Sequence, residues 1–199
     1  PTGGAVRYVG ELRGREDPGA GVDALARSGK DAGNVVFVPA LVGLGAPHWQ
    51  DTAQGSISGL TLGTGRGNIA RAALDAIAFQ VRDVFDVMHA EAGTPLDTLL
   101  ADGGASRNDL LMQIQADLLG CGVERSPSSD VSPLGAAFLA GLTTGFWNSQ
   151  EEIATLIPPR DRFEPSLSDE GRERHYRRWQ RALQRTLLDA PPEVQRAAT

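Results

Sequence analysis

The sequence predicts an α/β domain built on a sheet with some parallel pairing. Two observations carry that reading. Short apolar runs, β-branched or leucine-rich, alternate with helix-length amphipathic segments through the middle of the chain. The turns between them are rich in glycine, and several open directly into a helix. With 199 residues, 41% of them apolar, there is material for one good core. Residues 1–190 read as a single domain and 191–199 as a loose tail.

Taken in order, residues 1–14 are predicted helical, with Val6, Val9 and Leu12 spaced for one face. "RGREDPGAG", Arg13 to Gly21, is a polar loop, and Val22 to Ala26 a short helix. "NVVFVPAL", Asn34 to Leu41, is a β-branched run and reads as a buried strand. The glycines and Pro47 of "VGLGAPHWQDTAQG" predict a long ordered loop. Within it, Trp49 is expected to plug the core and His48 to hydrogen-bond locally. The alternative is that the pair holds a substrate, but no acid, base or metal partner lies nearby in sequence. "SISGL", Ser56 to Leu60, reads as a short strand. From Asn68 to His89, apolar residues cover more than one stripe, which predicts a helix buried between other elements.

"TLLAD" is the next strand, followed by a helix from Asn108 to Leu119 that ends at Gly120. "VERS" is another short strand. Ser132 to Trp147 is a small-residue helix with Ser132 as N-cap and Pro133 at the first helical position. Its Gly135, Ala136 and Ala137 suit close packing against a neighbour. "PPRDRFEP" reads as extended linker. Ser168 then caps a final helix whose Tyr176, Trp179, Leu183 and Leu187 form one docking stripe.

Composition narrows the function classes. The net charge of -6 argues against nucleic acid as a partner, because no basic face dominates. No run of eighteen apolar residues exists, so no membrane span is expected. Residue 1 is proline, and no basic start precedes an apolar core, so no signal peptide is expected. Cys121 is the single cysteine, which excludes an internal disulfide and fits the cytoplasm. His48, His89 and His175 lie in no metal-ligand spacing, so no metal-binding residue is assigned.

The densest signal is "LLADGGASRNDLLMQIQADLLG", Leu99 to Gly120. In an open α/β sheet, ligands sit off the carboxyl ends of strands. Gly103 and Gly104 remove side chains where something approaches the backbone, or where φ is positive. The helix that follows offers free N–H groups, and Asn108 offers a donor and an acceptor. A nucleotide base or ribose over Gly103-Gly104 accounts for all three features. A plain strand-to-helix turn with a capping Asn accounts for them too. Gly3-Gly4 is a further glycine-to-helix turn. No Ser-His-Asp or Cys-His set suggests a nucleophile.

Four segments carry a family resemblance. "FVPALVGLGAPHW", "GRGNIARAALDAIAFQVRDVFDVM", "ADGGASRNDLLMQIQADLLG" and "PLGAAFLAGLTTGFW" are similar to the C-terminal domain of the FGGY family of carbohydrate kinases. Departures are His48 where the family often has Tyr, Ser132-Pro133 where it often has Thr-Ala, and "RYVGELRG" where Trp-Leu-Arg-Asp is usual.

The resemblance implies an actin-like, ribonuclease H-like fold. In this family two such domains close on a cleft, with ATP held largely by the C-terminal one. Gly104 and Asn108 match positions that contact the adenosine of ATP. Gly103 is their neighbour, and Gly4 resembles a glycine near the phosphates. "GLGAP", "LMQIQADLLG" and "GFW" favour glycerol as acceptor over xylulose or gluconate. The N-terminal domain, with the phosphate loops, polyol-binding residues and catalytic aspartate, has no counterpart here, so no catalytic residue is assigned. Asp102 fits turn support better than a base. Mg2+ is expected to act with that other domain, and this piece alone to be inactive. Its expected partners are a small polyol and its own N-terminal domain; self-association is common in the family. The alternatives are a kinase for another polyol or ketose, and a non-catalytic actin-like nucleotide-binding module.

Overall fold

A computed structural model of the chain describes residues 2–11, 21–29, 31–93, 96–128 and 130–191. Leu12, the polar loop up to Ala20 and the tail from 192 lie outside the described residues.

The domain is organised around one helix. α3 (Arg66–Ala92) runs through the core, with Ala70, Ala72, Ala73, Leu74, Ala76, Ile77, Ala78 and Phe79 all buried. The run of alanines lets other elements approach its backbone closely. α1 (Thr2–Glu11) and α2 (Val22–Ser28) pack on one part of it. Asn68 fixes its start: Oδ1 accepts from the Gly65 amide at 2.9 Å, and Nδ2 donates to the Asp31 carbonyl at 2.8 Å.

Two small sheets flank this helix. β1 (Val36–Val38) pairs antiparallel with β2 (Ser56–Ser58), Phe37 opposite Ile57. β1 is shorter than the β-branched run predicts, but Phe37 and Val38 are buried as expected. β3 (Thr98–Ala101) runs parallel to β4 (Gly122–Arg125), with α4 (Asp109–Leu119) as the crossover. That is the parallel pairing the sequence predicts. β5 (Asp161–Phe163) then adds antiparallel to the far side of β4. It lies inside "PPRDRFEP", so the expected linker is an edge strand. Edge strands tolerate charged, proline-flanked sequence, and its exposed arginine and acid hide the period-2 signal. Within the sheet, β3 has a partner on one side only.

α7 (Asp169–Leu188) closes the core as predicted. The Ser168 hydroxyl accepts from the Gly171 amide at 3.2 Å, and Trp179 is fully buried, stacked on Phe79 at 5.3 Å between ring centres.

Trp179 is the core plug; Trp49 is not. Trp49 is 75% exposed and its φ is 49°. Nor is His48 bonded locally. Its Nε2 lies 3.1 Å from Asp83 Oδ2, thirty-five residues along the chain. Buried Asp83 also accepts from Trp179 Nε1 at 2.9 Å and from the Tyr176 hydroxyl at 2.8 Å. One carboxylate so joins the long loop, α3 and α7. Burial, and then its bond to Asp83, pushes the Tyr176 hydroxyl well above its ordinary titration range.

α5 (Val131–Thr144) departs from expectation twice. Its N-cap is Asp130, so Ser132 and Pro133 fall inside the first turn. Ala136 and Ala137 are exposed, and a Cβ added at Gly135 would meet nothing within 4 Å. The small residues therefore pack against no described element. The helix instead folds its end on itself: Trp147 packs edge-on to Phe138 at 5.3 Å and covers Gly141. α6 (Gln150–Leu156), in a stretch to which the sequence assigns no element, follows with a Ser149 cap.

Candidate functional site

The site is the connection from β3 to α4. β3 ends at Ala101 beside Arg125, the last residue of β4. The chain then passes Asp102 and Gly103 into a single 3₁₀ turn, Gly104–Arg107, before α4 begins. The sequence predicts a glycine turn and then a helix from Asn108; the 3₁₀ geometry of the turn is the structure's addition. Local bonds shape it: Ser106 donates from both its amide and its hydroxyl to the Gly103 carbonyl, at 3.2 and 2.8 Å. The Asn108 amide donates to Ala105 at 3.2 Å.

The two glycines of the turn differ. Gly103 has φ 81° and ψ 179°, a conformation essentially restricted to glycine. Backbone geometry alone explains it. Gly104 has no such constraint, and a Cβ placed there would meet nothing within 4 Å. Neither conformation nor internal packing calls for glycine at 104, while open space above it leaves the backbone approachable.

Asn108 is the N-cap of α4. Its Oδ1 accepts from the Leu111 amide at 3.1 Å. That is the structural reading of this residue, and it holds. It uses the acceptor only; Nδ2 has no partner among the described residues and remains available to a ligand. Asp102 is exposed and supports the turn through no side-chain hydrogen bond among the described residues, contrary to expectation. Ser106 performs that role.

Arg125 is the residue that sequence reasoning missed. It was legible only as a strand position. Its Nη1 donates to the Ser106 carbonyl at 3.1 Å and to Asp109 Oδ1 at 2.6 Å. Nε and Nη2 donate to Asp161 Oδ2 at 3.1 and 2.6 Å. These bonds, to Asp161 first and Asp109 next, hold the guanidinium above its already high range. Beside it lies a cavity of about 330 Å³ lined by Ser106, Arg107, Asp109, Arg125, Ser126, Pro127 and Asp161.

Gly4 is not drawn to this turn by packing. It lies in α1, which rests on α2 and α3, whereas the 3₁₀ turn rests on α4. No three His, Cys, Asp or Glu among the described residues are grouped to hold a metal ion. No helix among them is long and apolar enough to cross a membrane.

The helix-flanked mixed sheet has the actin-like ATPase fold of the solved carbohydrate kinases it superposes on. The chain belongs to the FGGY family of carbohydrate kinases, whose C-terminal domain matches residues 6–144. Its relatives include the glycerol kinase of Nitratidesulfovibrio vulgaris, 48% identical over 184 residues, which are 92% of this chain and 37% of that protein. The glycerol kinase of Gloeobacter violaceus is 50% identical over 185 residues, with 93% and 37% covered. Plasmodium falciparum glycerol kinase, solved with ADP, superposes on 94% of this chain and 37% of its own with a TM-score of 0.84 and 34% identity. Xylulose kinase from Rhodospirillum rubrum superposes over 94% and 38% with a TM-score of 0.74 and 27% identity. The chain thus spans a little over a third of the length of these relatives.

Proposed function

We propose that this chain is the ATP-binding part of a kinase that transfers the γ-phosphate of ATP to glycerol, giving glycerol 3-phosphate. The observation that carries the nucleotide assignment is Gly104, a glycine with ordinary φ and open space above it, next to the free Nδ2 of Asn108. The backbone at Gly104 is open to the approach of a ligand, and the Asn108 side chain supplies a donor in the same connection. Glycerol as acceptor is supported by two curated relatives at 48% and 50% identity that carry that activity in their names.

Gly103, Gly104 and Asn108 hold the adenosine side of the nucleotide, and Gly4 faces its phosphates. Mg2+ bound to those phosphates neutralises their charge in phosphoryl transfer. No residue of this chain is assigned to the ion, to the acceptor or to the catalytic base. Those groups belong to the length of the relatives that this chain does not span. Transfer needs nucleophile, metal and γ-phosphate positioned together, so these 199 residues alone bind nucleotide weakly and turn nothing over. The intact protein works in the cytoplasm, where ATP and small polyols meet.

Calorimetric titration of the intact protein with ADP, beside Gly104→Val and Asn108→Asp, tests the nucleotide site. Binding in the parent and its loss in both variants supports the reading; unchanged affinity in both overturns it. Offering the intact protein glycerol, xylulose and gluconate with ATP tests the acceptor, with glycerol expected to give the highest kcat/KM.

A further inference from the structure

The geometry points to Arg125 as the positioning residue of the nucleotide turn, an inference that rests on the nucleotide reading of Gly104 and Asn108. The bonds inside the turn run between Gly103 and Asn108 themselves. They fix its internal shape but not its place above the sheet. Arg125 supplies that placement. It stands between Ala101 on β3 and Asp161 on β5 in register, so its backbone is held on both sides. From there its guanidinium reaches the Ser106 carbonyl and the Asp109 carboxylate, one within the turn and one at the first residue of α4.

The fork geometry makes arginine necessary. Nε and Nη2 grip Asp161 while Nη1 faces the turn, and Cζ lies 5.2 Å from the centre of the Phe163 ring. A lysine ammonium is a single point of charge and cannot hold β5 and the turn together. The side chain is largely buried while both carboxylates are mostly exposed. As surface ion pairs these contacts contribute little stability. As a three-point tie they decide where the backbone of Ser106 sits, and with it Gly104 and Asn108 on either side.

The test is ADP titration of the intact protein by calorimetry, with hydrogen exchange read at the amides of 104–110. Arg125→Ala is expected to weaken ADP binding about tenfold, well under the ~100-fold that a 1 Å misplacement costs in a reacting geometry. Exchange should rise at 104–110 and stay unchanged in α3, and in turnover the KM for ATP should rise while the KM for the acceptor does not. Arg125→Lys should recover little of the loss, because one ammonium cannot reach Asp161 and the turn at once. A role in stability alone would lower the Tm and leave affinity in the folded protein untouched. Should Arg125→Ala fail to fold, Asp161→Asn removes the outer anchor at an exposed position, with about a threefold loss expected. Gly104→Val separates the two readings. If it keeps ADP affinity, the nucleotide site is wrong and Arg125 falls with it. If it loses ADP while the Arg125 variants stay within twofold of the parent, the Arg125 proposal alone is overturned.

Discussion

At Gly103 the backbone enters a region that side chains avoid, while at Gly104 it is ordinary and uncovered. The two positions therefore predict opposite responses to alanine. Gly103→Ala should cost about 1–3 kcal/mol of stability by chemical denaturation. Gly104→Ala should leave stability unchanged or raise it by about 0.4–1 kcal/mol, because it restricts the unfolded chain without clashing in the folded one. In the proposed site it lowers nucleotide affinity all the same. Asn108→Asp keeps the acceptor that caps α4, so the Tm should hold within a degree or two while ADP binding weakens by about tenfold or more. The glycine pair and Asn108 were legible as a site candidate. Which glycine served conformation and which served access was not, because both φ and the space above a Cα belong to the folded backbone. Arg125 was illegible for a related reason: its partners lie sixteen to thirty-six residues away, and nothing in "VERS" marks it.

Helices were easier to read than strands, and their packing explains why. α3 and α7 announce themselves by stripes of apolar residues that the core then covers. β5 carries one apolar residue in three, Phe163, and is held by its ladder to β4, by Arg125 and by Glu124 paired with Arg162 as well as by that residue's partial burial. Periodicity finds only elements stabilised by apolar faces. Between elements, the Asp83 carboxylate is the joint to test. Asp83→Asn turns one of the two acceptor oxygens at this joint into a donor, and should cost about 1–3 kcal/mol by denaturation. Acid should loosen α7 from α3 through a second group. Burial holds the His175 imidazole below its usual range near 6.5, against the attraction of Asp75, with Arg178, Arg174 and Arg71 adding repulsion. Asp31 and Asp117 line the same cavity. A depressed folded pKa means the unfolded state takes up the proton first, so this contribution is present above pH 6.5 and lost as pH falls through the folded value. Asp75 works in the opposite sense: burial raises its carboxyl, so its contribution is lost as pH rises. His175→Gln should flatten the fall of Tm below pH 6.5.

For the molecule as a whole, the family was legible because four long segments carry its pattern, from Phe37 to Trp147. What those segments cannot convey is how much of the fold their neighbours complete. α3 was expected to be buried along its length, yet its last turns rise free of the core. There Val84, Phe85 and Met88 line a cavity of about 540 Å³ with Leu96, Thr98 and Leu99. An apolar stripe in a sequence states that a face is to be covered, and not by what. The same holds for β3, whose outer edge has no strand beside it among the described residues. Parallel strands are ordinarily buried in a sheet, and a bare edge is a template for whatever backbone meets it. The practical consequence falls on handling. Kept as 199 residues, the chain should self-associate as its concentration rises, and sedimentation velocity would show mass growing with loading. A charged substitution at Leu100, already exposed on that strand, should keep it dispersed.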